Sequence, residues 1–240
     1  MEVNRIKSVI HDSIKRIRKT PALLVLSLEI LFGVIISAIT FLIFWELTDT
    51  VLDKERFFLD NSISMFFYHL RSPLLTSIMQ FFSFIGADGI LVLSVLIPLF
   101  FFWKKLKHEA ILFSIMIGMG AIANTVLKLI TQRPRPTFAP LAIEHSLSFP
   151  SGHSMNSFIF FMTVAYFYYH FTHRKKHSLI AFFIATVIIL CIGISRIYLG
   201  VHYPSDVLGG YVTGLLWFLF VILIDKTILF YRLFKNRKNE

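Results

Sequence analysis

The chain has 240 residues, of which 56% are apolar and only 16% are charged, and its mean hydropathy is +0.71. This balance excludes a soluble globular protein and is typical of an integral membrane protein. The formal net charge is +10, but the basic residues lie between the apolar runs and not on one soluble face, so no nucleic-acid partner is expected. A single cysteine, Cys191, excludes an intramolecular disulfide and a cysteine metal cluster.

Six apolar runs are long enough to cross a bilayer as helices. We therefore predict an all-α, polytopic membrane protein with a six-transmembrane-helix bundle in one domain, 1–240. The spans are expected at about 21–46, 86–103, 109–130, 155–171, 178–195 and 207–230. The first run follows a basic stretch and precedes no cleavage pattern, so it is interpreted as an uncleaved anchor.

The stretch 57–84, between spans 1 and 2, is ambiguous. Asp60, Asn61, His69, Arg71 and Pro73 divide its apolar residues into pieces too short to span. Short interfacial or re-entrant helices are expected there.

The orientation follows from lysine and arginine, which favour cytoplasmic loops. With six spans and an inner N-terminus, 17 of the 24 basic residues lie on the inner side. The sequence therefore predicts a multi-pass protein of the cell membrane with both termini cytoplasmic. A separate crossing by 74–86 would turn the basic hinges outward, which argues against seven spans.

The first segment that carries candidate binding residues is KLITQRPRP, residues 128–136. Its prolines stop any helix, so Arg135 can fold back toward Lys128 and two cations can converge. The alternative is that both side chains anchor the span at the membrane interface. Arg133, in the same turn, is interpreted as a contact to lipid headgroups, with contact to a second phosphate as the alternative.

The second segment is Pro150-Ser151-Gly152-His153, where a loop enters span 4. Backbone N–H groups at a helix start favour an anion, so the segment is typical of an oxyanion cradle. The alternative for His153 is a capping or interfacial histidine.

The third segment is SRIYLGVHYPSD, residues 195–206. Pro204 suits the first turn of span 6, which places Asp206 inside that turn. A carboxylate four residues after His202 can accept its ring N–H and leave the other nitrogen free to attack. The alternative is a helix-start acid beside an unrelated histidine.

The predicted orientation brings all three segments to one face, the outer one. They resemble, in order, the three signatures of the type 2 phosphatidic acid phosphatases, which share this pattern with vanadium haloperoxidases. Eleven positions match without departure over about 80 residues. The matched positions are Lys128, Arg135, Pro136, Pro150, Ser151, Gly152, His153, Ser195, Arg196, His202 and Asp206.

The resemblance implies a phosphatase that needs no metal and no other cofactor. The groups expected to bind phosphate are Lys128, Arg135, Ser151, Gly152 and Arg196. By analogy with the family, His202 attacks phosphorus to form a phosphohistidine, Asp206 orients His202, and His153 exchanges protons with the leaving alkoxide and with water. One histidine must start neutral and the other protonated, which predicts a bell-shaped pH dependence.

The expected activity is a lipid phosphate phosphatase at the outer membrane face. Phosphatidylglycerophosphate, converted to phosphatidylglycerol, is the preferred substrate, and the polyprenyl carrier undecaprenyl diphosphate is the alternative, since it would use the same residues. A haloperoxidase usually has a soluble scaffold. A transporter would place polar residues near the midplane, whereas the ionisable residues here cluster at one end.

Three further residues have no catalytic role in this interpretation. Glu144 and His145 are expected to be solvated loop residues, with headgroup recognition as the alternative. Glu29, the one acid inside span 1, is expected to be neutral or to face a cavity.

Overall fold

The structure, a computed structural model, describes residues 21–54 and 57–238. Within these ranges the regular elements are helical, which confirms the predicted all-α class. They are α1 Pro21–Leu52, α2 Phe58–His69, α3 Pro73–Phe84, a π turn Ile85–Gly89, α4 Ile90–Trp103, α5 Lys107–Thr131, α6 Gly152–Thr172, α7 Lys175–Tyr198 and α8 Pro204–Lys238. The N-terminal basic stretch used for the orientation lies outside the described residues.

Among the described residues, five helices are long and apolar enough to cross a membrane. They are Leu23–Leu52, Pro73–Trp103, Lys107–Thr131, Lys175–Tyr198 and Pro204–Lys235. Helix α6 has 21 residues, which is sufficient in length, but it is more polar and buries Ser154, Ser157 and Thr163 against other helices. A multi-pass protein is thus confirmed, and the sixth span stays a prediction.

The second span starts earlier than predicted. Helix α3, the π turn and α4 form one continuous helix from Pro73 to Trp103, so the predicted start at 86 and the expectation of interfacial helices over the whole of 57–84 are wrong. The reason is that Pro73 begins this helix, with Ser72 accepting from the Leu75 N–H as its N-cap. Only α2, with 12 residues, is a separate helix too short to span.

The helices run alternately up and down, with α6 in the middle of the bundle. An aromatic core fills one half: Phe101 lies 5.3 Å from Phe167, and Phe113 lies 6.0 Å from Phe160, between ring centres. Offset and edge-on contacts of this kind favour tight packing of neighbouring helices.

The other end of the bundle is held by polar contacts. Tyr198, fully buried at the end of α7, bonds through its hydroxyl to Thr76 Oγ1 at 2.9 Å. Arg71 donates to the Tyr198 carbonyl at 2.9 Å and to the Ala139 carbonyl at 2.7 Å. These bonds attach α3 and the α5–α6 loop to the end of α7, which fixes the turn that follows.

Helix α8 crosses the start of α6 at close range. A Cβ at Gly210 would lie 2.7 Å from the Ser151 carbonyl oxygen and 2.8 Å from Ser154 Cβ. The Ser151 N–H also donates to the Asp206 carbonyl at 3.0 Å. The second and third sequence segments are therefore in direct contact.

Candidate active site

All eight residues expected to form the site lie at one end of the bundle, where α5 and α7 end and α6 and α8 begin. A cavity of about 690 Å³ opens there. Its lining includes Lys128, Arg135, Gly152, His153 and His202. The other three, Ser151, Arg196 and Asp206, are buried behind this lining.

Lys128 and Arg135 converge on one short stretch of the α5–α6 loop. The Lys128 ammonium donates to Ser146 Oγ at 3.0 Å and to the Leu147 carbonyl. Arg135 donates to the same Ser146 hydroxyl at 2.9 Å and to the Ser146 carbonyl at 2.6 Å. Because Lys128 is only 9% exposed, an interfacial anchor does not describe it.

Arg196 joins these cations through Glu144. The Arg196 guanidinium is almost fully buried, donates to Ser83 and forms an ion pair with Glu144. Glu144 also lies 3.6 Å from the Arg135 guanidinium. The expectation that Glu144 is a solvated loop residue is therefore wrong, because its carboxylate bridges two cations in the cavity wall. His145 lines the cavity too but is exposed, as expected.

Ser151 caps α6, and its side chain does not reach the cavity. Its hydroxyl accepts from the Ser154 N–H at 3.5 Å and from the Ser154 hydroxyl at 3.0 Å. The physical reason is that the first N–H groups of a helix need side-chain acceptors. Gly152 faces the cavity instead, beside Asn124, whose amide donates to the Pro150 carbonyl at 3.3 Å. The hydroxyl of Ser151, one of the residues expected to bind phosphate, is thus engaged at the start of this helix.

His202 lies in the turn between α7 and α8. A nitrogen of the Arg135 guanidinium is 3.1 Å from its Nε2. Arginine can only donate, so Nε2 is assigned as the acceptor with the lone pair and Nδ1 as the protonated nitrogen. Burial lowers the pKa of His202 to about 4, although Asp206 opposes this shift. The ring is therefore neutral near pH 7, with its lone pair directed at a cation of the cavity.

Asp206 lies in the first turn of α8, which begins at Pro204. Its fully buried Oδ2 accepts from the Ser148 hydroxyl and from the Tyr203 N–H at 2.8 Å. The same oxygen lies 3.4 Å from Nδ1 of His202, which is longer than an ordinary hydrogen bond. Since Nδ1 has no hydrogen-bond partner within the described part of the chain, this carboxylate is the group that faces its proton.

Arg133 lies behind Asp206 and away from the headgroups. It donates to Asp206 Oδ1 at 2.6 Å and pairs with Asp60 Oδ2 at 2.8 Å. Its guanidinium carbon lies 4.6 Å from the centre of the Tyr203 ring and 5.5 Å from that of Phe57. The interpretation that favoured headgroup contact is wrong, because two buried carboxylates hold this side chain inside the protein.

His153, the second residue of α6, lines the same cavity as His202. A Cβ at Gly86 would lie 3.4 Å from His153 Cδ2 and 2.6 Å from Ile192 Cγ2. Gly86 belongs to the π turn of the second span, and such turns are frequent at functional sites. The missing side chain lets this helix pass close to the His153 ring.

Part of the remaining cavity wall is apolar. Ile90 and Leu91 of α4 and Ile117 and Leu129 of α5 line it. Leu91 and Leu129 are also exposed on the outer surface of the bundle. One side of the cavity thus suits an alkyl chain and the other an anionic headgroup, as an amphiphilic ligand requires.

Glu29 lies far from this site. It forms an ion pair with Lys226 that joins α1 to α8, and it lines a second, apolar cavity between these helices. It therefore faces a cavity, as one of the two expectations stated, and it is paired with a cation.

Several residues of the site were not predicted. Asp60 is separated from Arg133 by 73 residues, and no spacing rule links them. Three serines bond the charged groups: Ser83 accepts from Arg196, Ser146 accepts from both Lys128 and Arg135, and Ser148 donates to Asp206. Asn124 donates to the Pro150 carbonyl. Of these residues, Asn124 is the one that the sequence could have indicated as part of the site, because it is an amide side chain inside an otherwise apolar run.

Comparison with known proteins agrees with this geometry. Residues 109–229 match the PAP2 superfamily. Phosphatidylglycerophosphatase B of Bacillus subtilis (strain 168) is 40% identical over 171 residues, which cover 70% of this chain and 84% of that protein. Lipid A 1-phosphatase of Rhizobium johnstonii is 36% identical over 119 residues, covering 45% of this chain and 44% of that protein.

The fold is similar to a solved structure as well. The crystal structure of a transmembrane PAP2-type phosphatidylglycerolphosphate phosphatase from Bacillus subtilis superposes with a TM-score of 0.73 at 37% identity, covering 80% of this chain and 96% of that one. The cavity with its cations and histidines thus lies in a membrane phosphatase fold. The chain belongs to the PAP2 superfamily. This confirms the family resemblance and the predicted enzyme class, a phosphoric monoester hydrolase in a membrane.

Proposed function

We propose that this protein hydrolyses a lipid phosphate without a metal ion, through a phosphohistidine on His202. The observation that carries the proposal is the Nε2 lone pair of His202, 3.1 Å from Arg135 in a cavity that His153 also lines. A phosphoryl group placed between Nε2 and the cations would meet the nucleophile and its charge neutralisation together. The Lys128, Arg135 and Arg196 side chains and the Gly152 backbone would bind its non-bridging oxygens.

The reaction has two steps. In the first, Nε2 of His202 bonds to phosphorus, the ester P–O bond breaks, and the alkoxide takes a proton from His153. Burial and the cavity cations lower the pKa of His153, so the negative charge of the bound phosphate is what lets this ring carry the proton. Asp206, facing the Nδ1 proton, stabilises the positive ring that results. In the second, His153 takes a proton from water, the water oxygen bonds to phosphorus, the P–N bond breaks, and inorganic phosphate leaves.

The substrate class is proposed to be phosphatidylglycerophosphate, which would yield phosphatidylglycerol. Two features support this. The apolar wall of α4 and α5 lies beside the cations Lys128 and Arg135, and the chain is similar to phosphatidylglycerophosphatase B over most of its length. Glu144 pairs with Arg196, so a phosphate bound to this guanidinium would compete with that carboxylate.

Phosphate release from three substrates side by side tests this proposal. The purified protein in detergent is given phosphatidylglycerophosphate, phosphatidic acid or undecaprenyl diphosphate, each with and without EDTA. We expect at least a tenfold preference in kcat/KM for phosphatidylglycerophosphate and no effect of EDTA, because protein cations take the place of a metal ion. A preference for the diphosphate would change the substrate, and magnesium-dependent activity would contradict the metal-free mechanism.

We also propose that both termini are cytoplasmic and that the cavity opens on the extracytoplasmic side. The support is the distribution of lysine and arginine among the loops, together with the position of every motif at one end of the bundle.

Cysteine labelling tests this orientation. In a Cys191→Ser background, His145→Cys is expected to react with a membrane-impermeant maleimide in intact cells, because His145 is exposed beside the cavity. Lys107→Cys, exposed at the opposite end, is the matched control and should react only after permeabilisation. The reverse pattern would place the active site on the cytoplasmic side.

A further inference from the structure

We propose that Asp60 and Arg133 are positioning residues that set how strongly Asp206 supports the nucleophilic imidazole. The inference rests on the phosphohistidine mechanism proposed above. Four groups follow one another in contact, with alternating charge once the ring is phosphorylated: Asp60, Arg133, Asp206 and His202. In such a series, Asp60 weakens the effect of Arg133 on Asp206, and Arg133 weakens the effect of Asp206 on His202.

Arg133 contacts the two carboxylates with different nitrogens. One nitrogen donates to Asp206 Oδ1 and to Ser205 Oγ at 2.8 Å, and the other pairs with Asp60 Oδ2. The flat guanidinium lies near the rings of Tyr203 and Phe57, which limits its rotation. A bridge of this kind needs the fork of an arginine, since a lysine offers a single nitrogen.

Asp60 fixes the far end of the bridge. Its Oδ1 accepts from the Ser205 N–H at 2.9 Å, and its Oδ2 accepts from the Ser205 hydroxyl at 2.6 Å. Asp60 is therefore bound to the first turn of α8, where a negative charge is favoured. The short helix α2 thereby contributes one carboxylate directly behind the helix start that bears Asp206.

Neither residue can contact the substrate. The cavity lining contains His202 but not Asp60, Arg133 or Asp206. Any effect of Asp60 on the reaction must therefore reach Asp206 through Arg133 or through Ser205, the residue before Asp206. Substitutions there should lower kcat and leave KM nearly unchanged, because the cations that bind the phosphate are untouched.

The two substitutions should shift the pKa of His202 in opposite directions. The charged and titratable groups around this ring are Asp206 on α8, Arg135 and Glu144 on the α5–α6 loop, Lys128 on α5, Arg196 on α7, His153 on α6 and, behind Asp206, Arg133 on the α5–α6 loop and Asp60 on α2. Arg133→Gln removes a cation from Asp206, so the carboxylate favours the protonated ring more strongly and the pKa rises. Asp60→Asn leaves the Arg133 charge uncompensated, so the pKa falls.

The test combines ring titration with kinetics. The pKa of His202 is measured by NMR of protein with ¹⁵N-labelled histidine, with His202→Ala to assign the signal, and kcat and KM are measured for lipid phosphate release. We expect shifts of about one pH unit in opposite directions and a fall in kcat of about tenfold or more for each variant. The double variant D60N/R133Q should return the pKa toward the wild-type value, with less loss of kcat than the product of the single losses.

Two controls separate positioning from folding. Asp225→Asn removes a carboxylate that pairs with His108 at 3.0 Å near the other end of α8 and should change neither the pKa of His202 nor kcat. Arg133→Lys keeps the charge without the fork, so the pKa should stay near the wild-type value while kcat falls. It also serves as the second variant if Arg133→Gln does not fold.

The outcomes are distinct. If wild-type protein releases no phosphate, or His202→Ala releases it as fast, the proposed function itself fails. If wild type is active and His202→Ala is not, but Asp60→Asn and Arg133→Gln shift the pKa in the same direction or leave kcat unchanged, the positioning role is overturned and the two residues are structural.

Discussion

Replacement of His202 by alanine is expected to abolish turnover of the lipid phosphate, with a loss of about 10⁴-fold or more in kcat. The reason is that Nε2 of this ring is the atom proposed to bond to phosphorus, while the other histidine proposed to react, His153, is assigned to proton transfer. Release of inorganic phosphate in detergent measures the effect. In wild-type protein, acid-labile and alkali-stable label from a radioactive substrate should be trapped on the chain, and the variant should trap none.

The matched control for this variant is His108→Ala. His108 pairs with Asp225 at the opposite end of the bundle and should keep wild-type kcat. Thermal unfolding of both variants shows whether the fold is retained. A folded His202→Ala protein that still forms a labelled intermediate would contradict the assignment of the nucleophile.

Replacement of His153 by asparagine is expected to lower the rate of hydrolysis by a factor that depends on the leaving group of the substrate. With a lipid phosphate, whose alkoxide needs a proton, kcat should fall by about 10²- to 10⁴-fold. With p-nitrophenyl phosphate the first step needs no proton, so the variant should release close to one equivalent of nitrophenolate in a burst. Slow turnover should follow, because the general base that takes a proton from the attacking water is then missing.

Stopped-flow absorbance measures this burst. Wild-type protein should show steady turnover with both substrates, and His202→Ala should show neither burst nor turnover. An equal loss of the first step for both substrates would contradict a proton-donating role, and His153 would then be a residue that only shapes the cavity beside Gly86.

The residues of the chemistry could be predicted because their signals are local. Pro204 marks the start of a helix, so the sequence alone places Asp206 in its first turn and His202 just before it. The alternation of spans likewise places the ends of α5 and α7 beside the starts of α6 and α8. These inferences depend on hydropathy, proline and spacing along a few turns of chain.

The errors arose where a local signal had two physical outcomes. The second span was predicted to start at about 86, whereas this position belongs to a π turn inside a continuous helix that starts at Pro73. Ser151 was grouped with the residues expected to bind phosphate, and its hydroxyl caps the start of α6. In both cases the structure is the one in which more backbone N–H and C=O groups have hydrogen-bond partners.

The sequence by itself determined the membrane class and the helical architecture, and the resemblance of its motifs indicated the family and the eight residues expected at the site. The membrane class and the helical architecture depend on composition and on short-range sequence patterns, which each segment has independently of its neighbours in space. The tertiary structure alone decided that Arg133 joins Asp60 to Asp206 and that Glu144 bridges Arg135 and Arg196. A buried charge requires a partner wherever the fold provides one, and the distance along the chain places no limit on which residue that is.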